Sequence, residues 1–221
     1  MTSQMLRSIV LLSSAFLCSA VARGDTVYNE GVSGDLSNSG LTPTPITVSL
    51  GQNDVFGTTG KTGTVIDRDY FTFTIPSDME LTAITVLPGT ESLGTLDESF
   101  IGMQSGPQVT ISTAATTAAG LLGWYHYGPD DIGVNILPLM GTSGLGSTGF
   151  TPPLPSGTYS FWVQEASAGT VPYGLEFTVA TPEPATWTML FTGLTALATK
   201  TSRRARSRSY RRVETDSNSP S

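Results

Sequence analysis

The chain of 221 residues contains one cysteine, Cys18, and one histidine, His126. A lone cysteine excludes an internal disulfide, so whatever folds here is held by core burial alone. The same scarcity excludes a zinc site, which needs several His or Cys ligands. It also leaves His126 as the single candidate base for a Ser-His-Asp or Cys-His centre. That residue sits in Gly123-Trp124-Tyr125-His126-Tyr127-Gly128-Pro129, where a histidine packed among aromatics is the simpler reading. Neither a Gly-x-Ser-x-Gly elbow nor a Gly-x-x-x-x-Gly-Lys loop occurs, which removes two common routes to hydrolysis and phosphate binding. Charged residues make up only 13% of the chain, too few for long amphipathic helices. Basic residues are scarcest in the middle. Between Asp25 and Thr181 fifteen acidic residues face only Lys61 and Arg68, a formal charge of −13. A phosphate backbone is bound through Lys and Arg, so nucleic acid is excluded as a partner of this region.

What is abundant points to strands. Gly, Pro, Ser and Thr supply turns and half-exposed pleated positions. Ile46, Val48 and Leu50 alternate with polar residues, as do Phe71, Phe73 and Ile75. Tyr159, Phe161 and Val163 alternate with Ser160 and Trp162, and Tyr173, Leu175, Phe177 and Val179 with Gly174, Glu176 and Thr178. Period two of this kind predicts strands that cover a core on one face. Leu81 to Leu87 predicts a further strand, with a bulge or a two-sided position where the alternation blurs at Ala83 and Ile84. Residues 25–40 are polar and turn-rich and read as a weakly held lead-in. Ala114 to Leu122 is the one helix-compatible stretch, and its threonines and Gly120 count against a helix. The expected fold is all-β, a single antiparallel β-sandwich over residues 23–181.

Both ends differ from this domain. Arg7, then the apolar Ile9 to Cys18, then Ala20-Val21-Ala22 have the order of a signal peptide, with small Ala20 and Ala22 at the inspected positions and cleavage expected after Ala22. Residues 1–22 would thus direct export through the Sec machinery. A lipidated Cys18 is disfavoured by bulky Leu17. At the other end Pro182 and Pro184 stop a strand ladder and stiffen the linker. Trp187 suits a membrane interface, an apolar stretch follows, and Arg203, Arg204 and Arg206 would stay on the cytoplasmic side. The stretch from Ala185 to Thr199 has 15 residues, against the ~17–25 of an ordinary spanning helix. A short transmembrane helix over 185–199 would therefore thin the bilayer or rely on arginine snorkelling, which suits a transient anchor. Residues 209–221 read as a disordered polar tail.

Pro182-Glu183-Pro184, the apolar segment with its internal Gly193-Leu194, and the arginine-rich end together resemble the PEP-CTERM sorting signal, over Pro182 to about Arg208. The resemblance implies a substrate of exosortase, a membrane cysteine protease that cuts near the Pro-Glu-Pro element and releases or attaches its substrates outside the cell. It occurs in Gram-negative and related bacteria that make exopolysaccharide. Pro182, Glu183 and Pro184 would be the recognition element, and Arg203, Arg204 and Arg206 the basic stop. The chain runs on through Ser207 to Ser221, further than many such tails.

A second resemblance lies in the middle. Asp67-Arg68-Asp69-Tyr70-Phe71-Thr72-Phe73, then Leu81 to Val86, then Gly157-Thr158-Tyr159-Ser160-Phe161-Trp162 look like the bacterial pre-peptidase C-terminal (PPC) type of sandwich, a jelly-roll-like module. The resemblance implies a non-catalytic domain used in targeting or in binding polysaccharide and protein surfaces. It leaves Glu91 to Thr151 unexplained, as an insertion. Calcium is the one cofactor to weigh, with Asp67 and Asp69 as candidate ligands and Asp130-Asp131 as a second acidic pair. Trp124, Tyr125, Tyr127 and Trp162 offer aromatic faces to sugar rings, or cap the core. The leading expectation is a non-enzymatic surface or extracellular-matrix protein, membrane-anchored during sorting. An exopolysaccharide-binding module is the alternative, and a secreted hydrolase the third reading.

Overall fold

A computed structural model describes residues 24–92 and 99–182. Ala20 and Ala22 of the expected signal peptide, the expected helix over 185–199, and Glu183, Pro184, Arg203, Arg204 and Arg206 of the expected sorting signal lie outside the described residues. Among the described residues no helix is long and apolar enough to cross a membrane.

Nine strands form one sheet: β1 (Asp25–Asn29), β2 (Thr44–Pro45), β3 (Gly51–Thr62), β4 (Val65–Ile75), β5 (Glu80–Val86), β6 (Ser99–Ser105), β7 (Gly123–Tyr127), β8 (Gly157–Gln164) and β9 (Gly169–Ala180). The main order is β5-β9-β3-β4-β8-β6-β7, antiparallel throughout, with β1 and β2 added in parallel on β3 and β4. Two short helices, α1 (Glu30–Ser33) and α2 (Leu137–Ser143), and a 3₁₀ turn at Pro129–Asp131 complete the described structure.

The hairpin β3–β4 bends the sheet over. Its tip pairs Thr62 with Val65 and Gly60 with Asp67. Beyond the tip the strands part, β3 pairing with β9 from Gly60 back to Gly51 and β4 with β8 from Arg68 to Ile75. The two halves therefore face each other, and Phe177 of β9 packs edge-on against Phe71, Phe73 and Phe161 with ring centroids 5.1–5.7 Å apart. The result is a nearly closed barrel around a core of alternating residues from β4, β5, β8 and β9. The gap between the end strands β5 and β7 is filled by the chain around α2. The Val86 amide donates to the Val134 carbonyl at 3.2 Å and the Ile136 amide to Ile84 at 2.8 Å, while Ile136, Leu137 and Met140 are buried. Both potential edges are thus covered rather than left open.

Four of the five predicted runs are strands, at β4, β5, β8 and β9, and β5 shifts register between Leu81 and Ala83. The run Ile46 to Leu50 is not, since the chain leaves the ladder after Pro45, with Ile46 and Val48 buried and Leu50 exposed. Three strands on the main path were not legible, nor were the short additions β1 and β2. On β3 the residues that point inward are Asn53, Val55, Gly57 and Thr59, a face without a hydrophobic signature. Asn53 makes the polarity tolerable: its amide donates to the carbonyls of Ser49, Gly51 and Phe177 at 2.9–3.1 Å and its oxygen accepts from the Ser49 amide at 2.8 Å. Gly57 leaves the room that the Tyr173 ring fills, since a Cβ there would lie 2.6 Å from the phenol oxygen. The other two, β6 and β7, belong to the stretch the PPC resemblance left unexplained, and they complete the barrel. The lead-in is also better held than its composition suggests. Asp25–Asn29 pairs with β3 and Leu36 is buried in the core, because one well-placed leucine and a parallel ladder suffice where turn residues dominate the count.

Candidate functional site

Two constellations emerge from this fold. The first is aromatic. On the outer face of β4, β8, β6 and β7, Tyr70, Trp162, Gly102 and Trp124 stand directly opposite one another across the ladders. Gly102 is the gap in that row, and Phe100, two residues earlier on β6, lays its ring over it: a Cβ on Gly102 would meet Phe100 at 2.9 Å. Trp162 stacks on Tyr70 with centroids 5.7 Å apart and meets Phe100 edge-on at 4.9 Å. Phe100 in turn stacks with Trp124 at 6.1 Å, and His126 packs edge-on to both. The chain from Val109 to Leu121 closes over part of this face. Its seat is fixed by the Val109 amide donating to Gly40 at 2.8 Å and by Gln104, which accepts from the Thr110 amide and donates to the Thr110 hydroxyl, both at 2.9 Å.

Between that chain and the rings lies an open cleft of about 350 Å³, lined by Phe100, Trp124, His126 and Trp162 below and by Ile111, Thr116 and Leu145 at its sides. Trp124 is half-buried, its indole N–H donating to the Leu145 carbonyl at 3.2 Å. Trp162 is 8% exposed and its indole nitrogen is buried without a hydrogen-bond partner, a cost the packed rings must offset. Alternation along β7 sends Tyr125 to the other face, against the main core, and Tyr127 is buried there. Of the aromatics singled out from sequence, Trp124 and Trp162 therefore share the cleft and Tyr125 does not. Phe100 was missed, because Phe-Ile-Gly-Met carries no alternation that marks one face.

The second constellation is acidic. Glu30 at the start of α1, Asp35 just after it, and Asp69 on β4 each bring a carboxylate oxygen within 4.8 Å of the others. Glu30 is held by backbone: it accepts from the amides of Leu36 at 2.9 Å and Thr58 at 2.7 Å, and from the Thr58 hydroxyl at 3.2 Å. Asp69 is 0% exposed. The Tyr173 hydroxyl donates to its Oδ2 at 2.7 Å, whereas Oδ1 is buried with no hydrogen-bond partner. Burial first, then the charge of Glu30, pushes the Asp69 carboxyl up to about 9, with Asp67 and Asp35 adding to the rise and the Tyr173 bond opposing it. Glu30 is raised too, chiefly by burial. Asp67, the neighbour that sequence paired with Asp69, instead accepts from the Asn38 amide at 3.1 Å. Asp130 and Asp131 lie in the 3₁₀ turn, where Asp131 accepts from the Gly128 amide at 3.0 Å, a capping role. Glu30 and Asp35 escaped the sequence reading because they lie over 30 residues from Asp69, and only the parallel docking of β1 beside β3 brings them to it.

Comparison with known protein families finds no family that matches this chain, and comparison with curated proteins finds no relative.

Proposed function

We propose that this chain is a non-enzymatic exported surface protein whose β domain holds an exopolysaccharide in its outer aromatic cleft. The carrying observation is the convergence of Trp124, Trp162 and Phe100, from three strands, on one open cleft of about 350 Å³. Sugar rings present C–H faces that stack on indole and phenyl rings, while their hydroxyls take polar partners; Thr116 and His126 are among the lining residues that offer them. The acidic surface suits a neutral or cation-bridged polymer and disfavours polyanions. In this reading the barrel is the sandwich of the PPC type, with β6, β7 and the covering chain as its elaboration. The single histidine is part of the aromatic packing, which fits a binding role better than a base.

Trp124→Ala is the informative variant, since Trp124 is only half-buried and its loss leaves the barrel core in place. Binding to exopolysaccharide from an exosortase-bearing bacterium, measured by affinity electrophoresis, is expected to weaken at least tenfold with the melting temperature little changed. Unchanged binding would sink the cleft as the glycan site.

The routing half of the reading rests on the order Pro-Glu-Pro, apolar stretch, arginines. It is supported by Thr181 and Pro182, which are exposed directly after β9 ends at Ala180, where a protease meets an extended segment. The mature protein is then expected to start at Arg23 and end near Pro182 by intact mass. A product that keeps Arg203 to Ser221 in the membrane fraction would instead establish a permanent anchor.

A further inference from the structure

We propose that Glu30, Asp35 and Asp69 form a binding site for a divalent cation of the calcium type, which ties the N-terminal segment to the barrel. Hard cations of this kind gather six to eight oxygens at roughly 2.3–2.6 Å, so ligand oxygens around one ion lie at most about 5 Å apart. Three carboxylate oxygens within 4.8 Å of one another meet that limit. Without a cation the arrangement gathers three acids in a partly buried place, and Arg68, adjacent in sequence, is engaged elsewhere, donating its Nε to Gln164 at 2.6 Å and its Nη1 to the Ile66 carbonyl.

The second observation is Asp69 itself. A fully buried carboxylate whose Oδ1 has no donor is a costly arrangement unless something fills the missing contact. Its other oxygen is already fixed by Tyr173, and Glu30 is fixed by two backbone amides, so two of the three ligands are held in place before any ion arrives. Exposed Asp35 supplies the side open to solvent, where waters complete the shell. A proton is the competing occupant, and the raised affinity of Asp69 for it is the expected behaviour of the same site in the absence of metal.

The experiment is thermal unfolding of the full chain at pH 7 in chelator and in millimolar CaCl2, with terbium luminescence excited through tyrosine as a second readout. A ligand bound only by the folded state raises its melting temperature; about 5 °C or more is expected at saturation. Asp35→Asn, at an exposed position that leaves folding intact, is expected to lower the apparent affinity at least tenfold. Asp67→Asn should change it less than about threefold. Absence of both the calcium shift and the terbium signal would overturn the site and leave Asp69 as a buried neutral acid. A shift that survives Asp35→Asn undiminished would overturn it as well. These outcomes are read without glycan and are independent of its binding at the outer aromatic cleft, whose lining includes none of the three acids.

Discussion

At Asp69 a carboxyl group meets the core, a tyrosine hydroxyl and two other acids at once. The groups that face it are Glu30 and Asp35 from the N-terminal segment, Asp67 on its own strand, and Tyr173, with Tyr28 and Tyr127 further off. In chelator, burial holds Asp69 protonated in the folded protein up to about pH 9, whereas the unfolded chain releases that proton near pH 4. The native state then binds more protons across this interval, so stability is greatest below pH 4 to 5 and declines as pH rises toward 9. Raised Glu30 and Asp67 act in the same direction. Urea unfolding at pH 5, 7 and 8.5 is expected to show this decline, and Asp69→Asn to flatten it. A profile that rises with pH in chelator would contradict the environment described for Asp69.

Among the elements, the barrel depends most on how α2 closes the gap between β5 and β7. The contact is backbone against backbone at Gly123, where a Cβ would sit 2.5 Å from the Met140 carbonyl oxygen and 2.7 Å from the Phe150 ring. Main chain cannot yield there as a flexible side chain would, so Gly123→Ala forces helix and strand apart. A loss of about 2–3 kcal/mol is expected from the strain and the loosened packing of Leu137 and Met140, read as a lowered urea midpoint with an unchanged slope. A neutral Gly123→Ala would mean that α2 is not closely docked. The strands themselves differ in how far local sequence reveals them. In β4, β8 and β9, Phe, Tyr, Leu and Val recur at period two, since one face meets the core and local pattern is sufficient. In β3 the inward set includes Asn53 and Gly57, both matched to distant partners: Asn53 to the Phe177 carbonyl, Gly57 to the Tyr173 ring above it. Such positions are chosen by contacts across more than a hundred residues, which no window along the chain contains.

For the whole molecule, charge is the property that both ends conceal. Side chains of the entire chain sum to −7, but a product from Arg23 to Pro182 has fifteen acidic and three basic residues, a formal charge of −12. Removal of both ends, as proposed, would leave an acidic domain, and a product so processed is expected to elute later from an anion exchanger than any species that retains its arginines. Such a domain repels other copies of itself and attracts divalent cations over a distance set by ionic strength, which fits a matrix component and a cation site alike.

The four alternating strands β4, β5, β8 and β9, the irregularity in β5 and the segregation of charge were legible locally, because alternation, turn residues and charge runs are properties of neighbours in sequence. The closure of the sheet by α2, the meeting of Trp124 with Trp162 and Phe100 over Gly102, and the approach of Glu30 and Asp35 to Asp69 were decided only by the tertiary structure. Each depends on strand register and on pairing between distant segments, and a shift of one residue in either would turn these side chains to the opposite face.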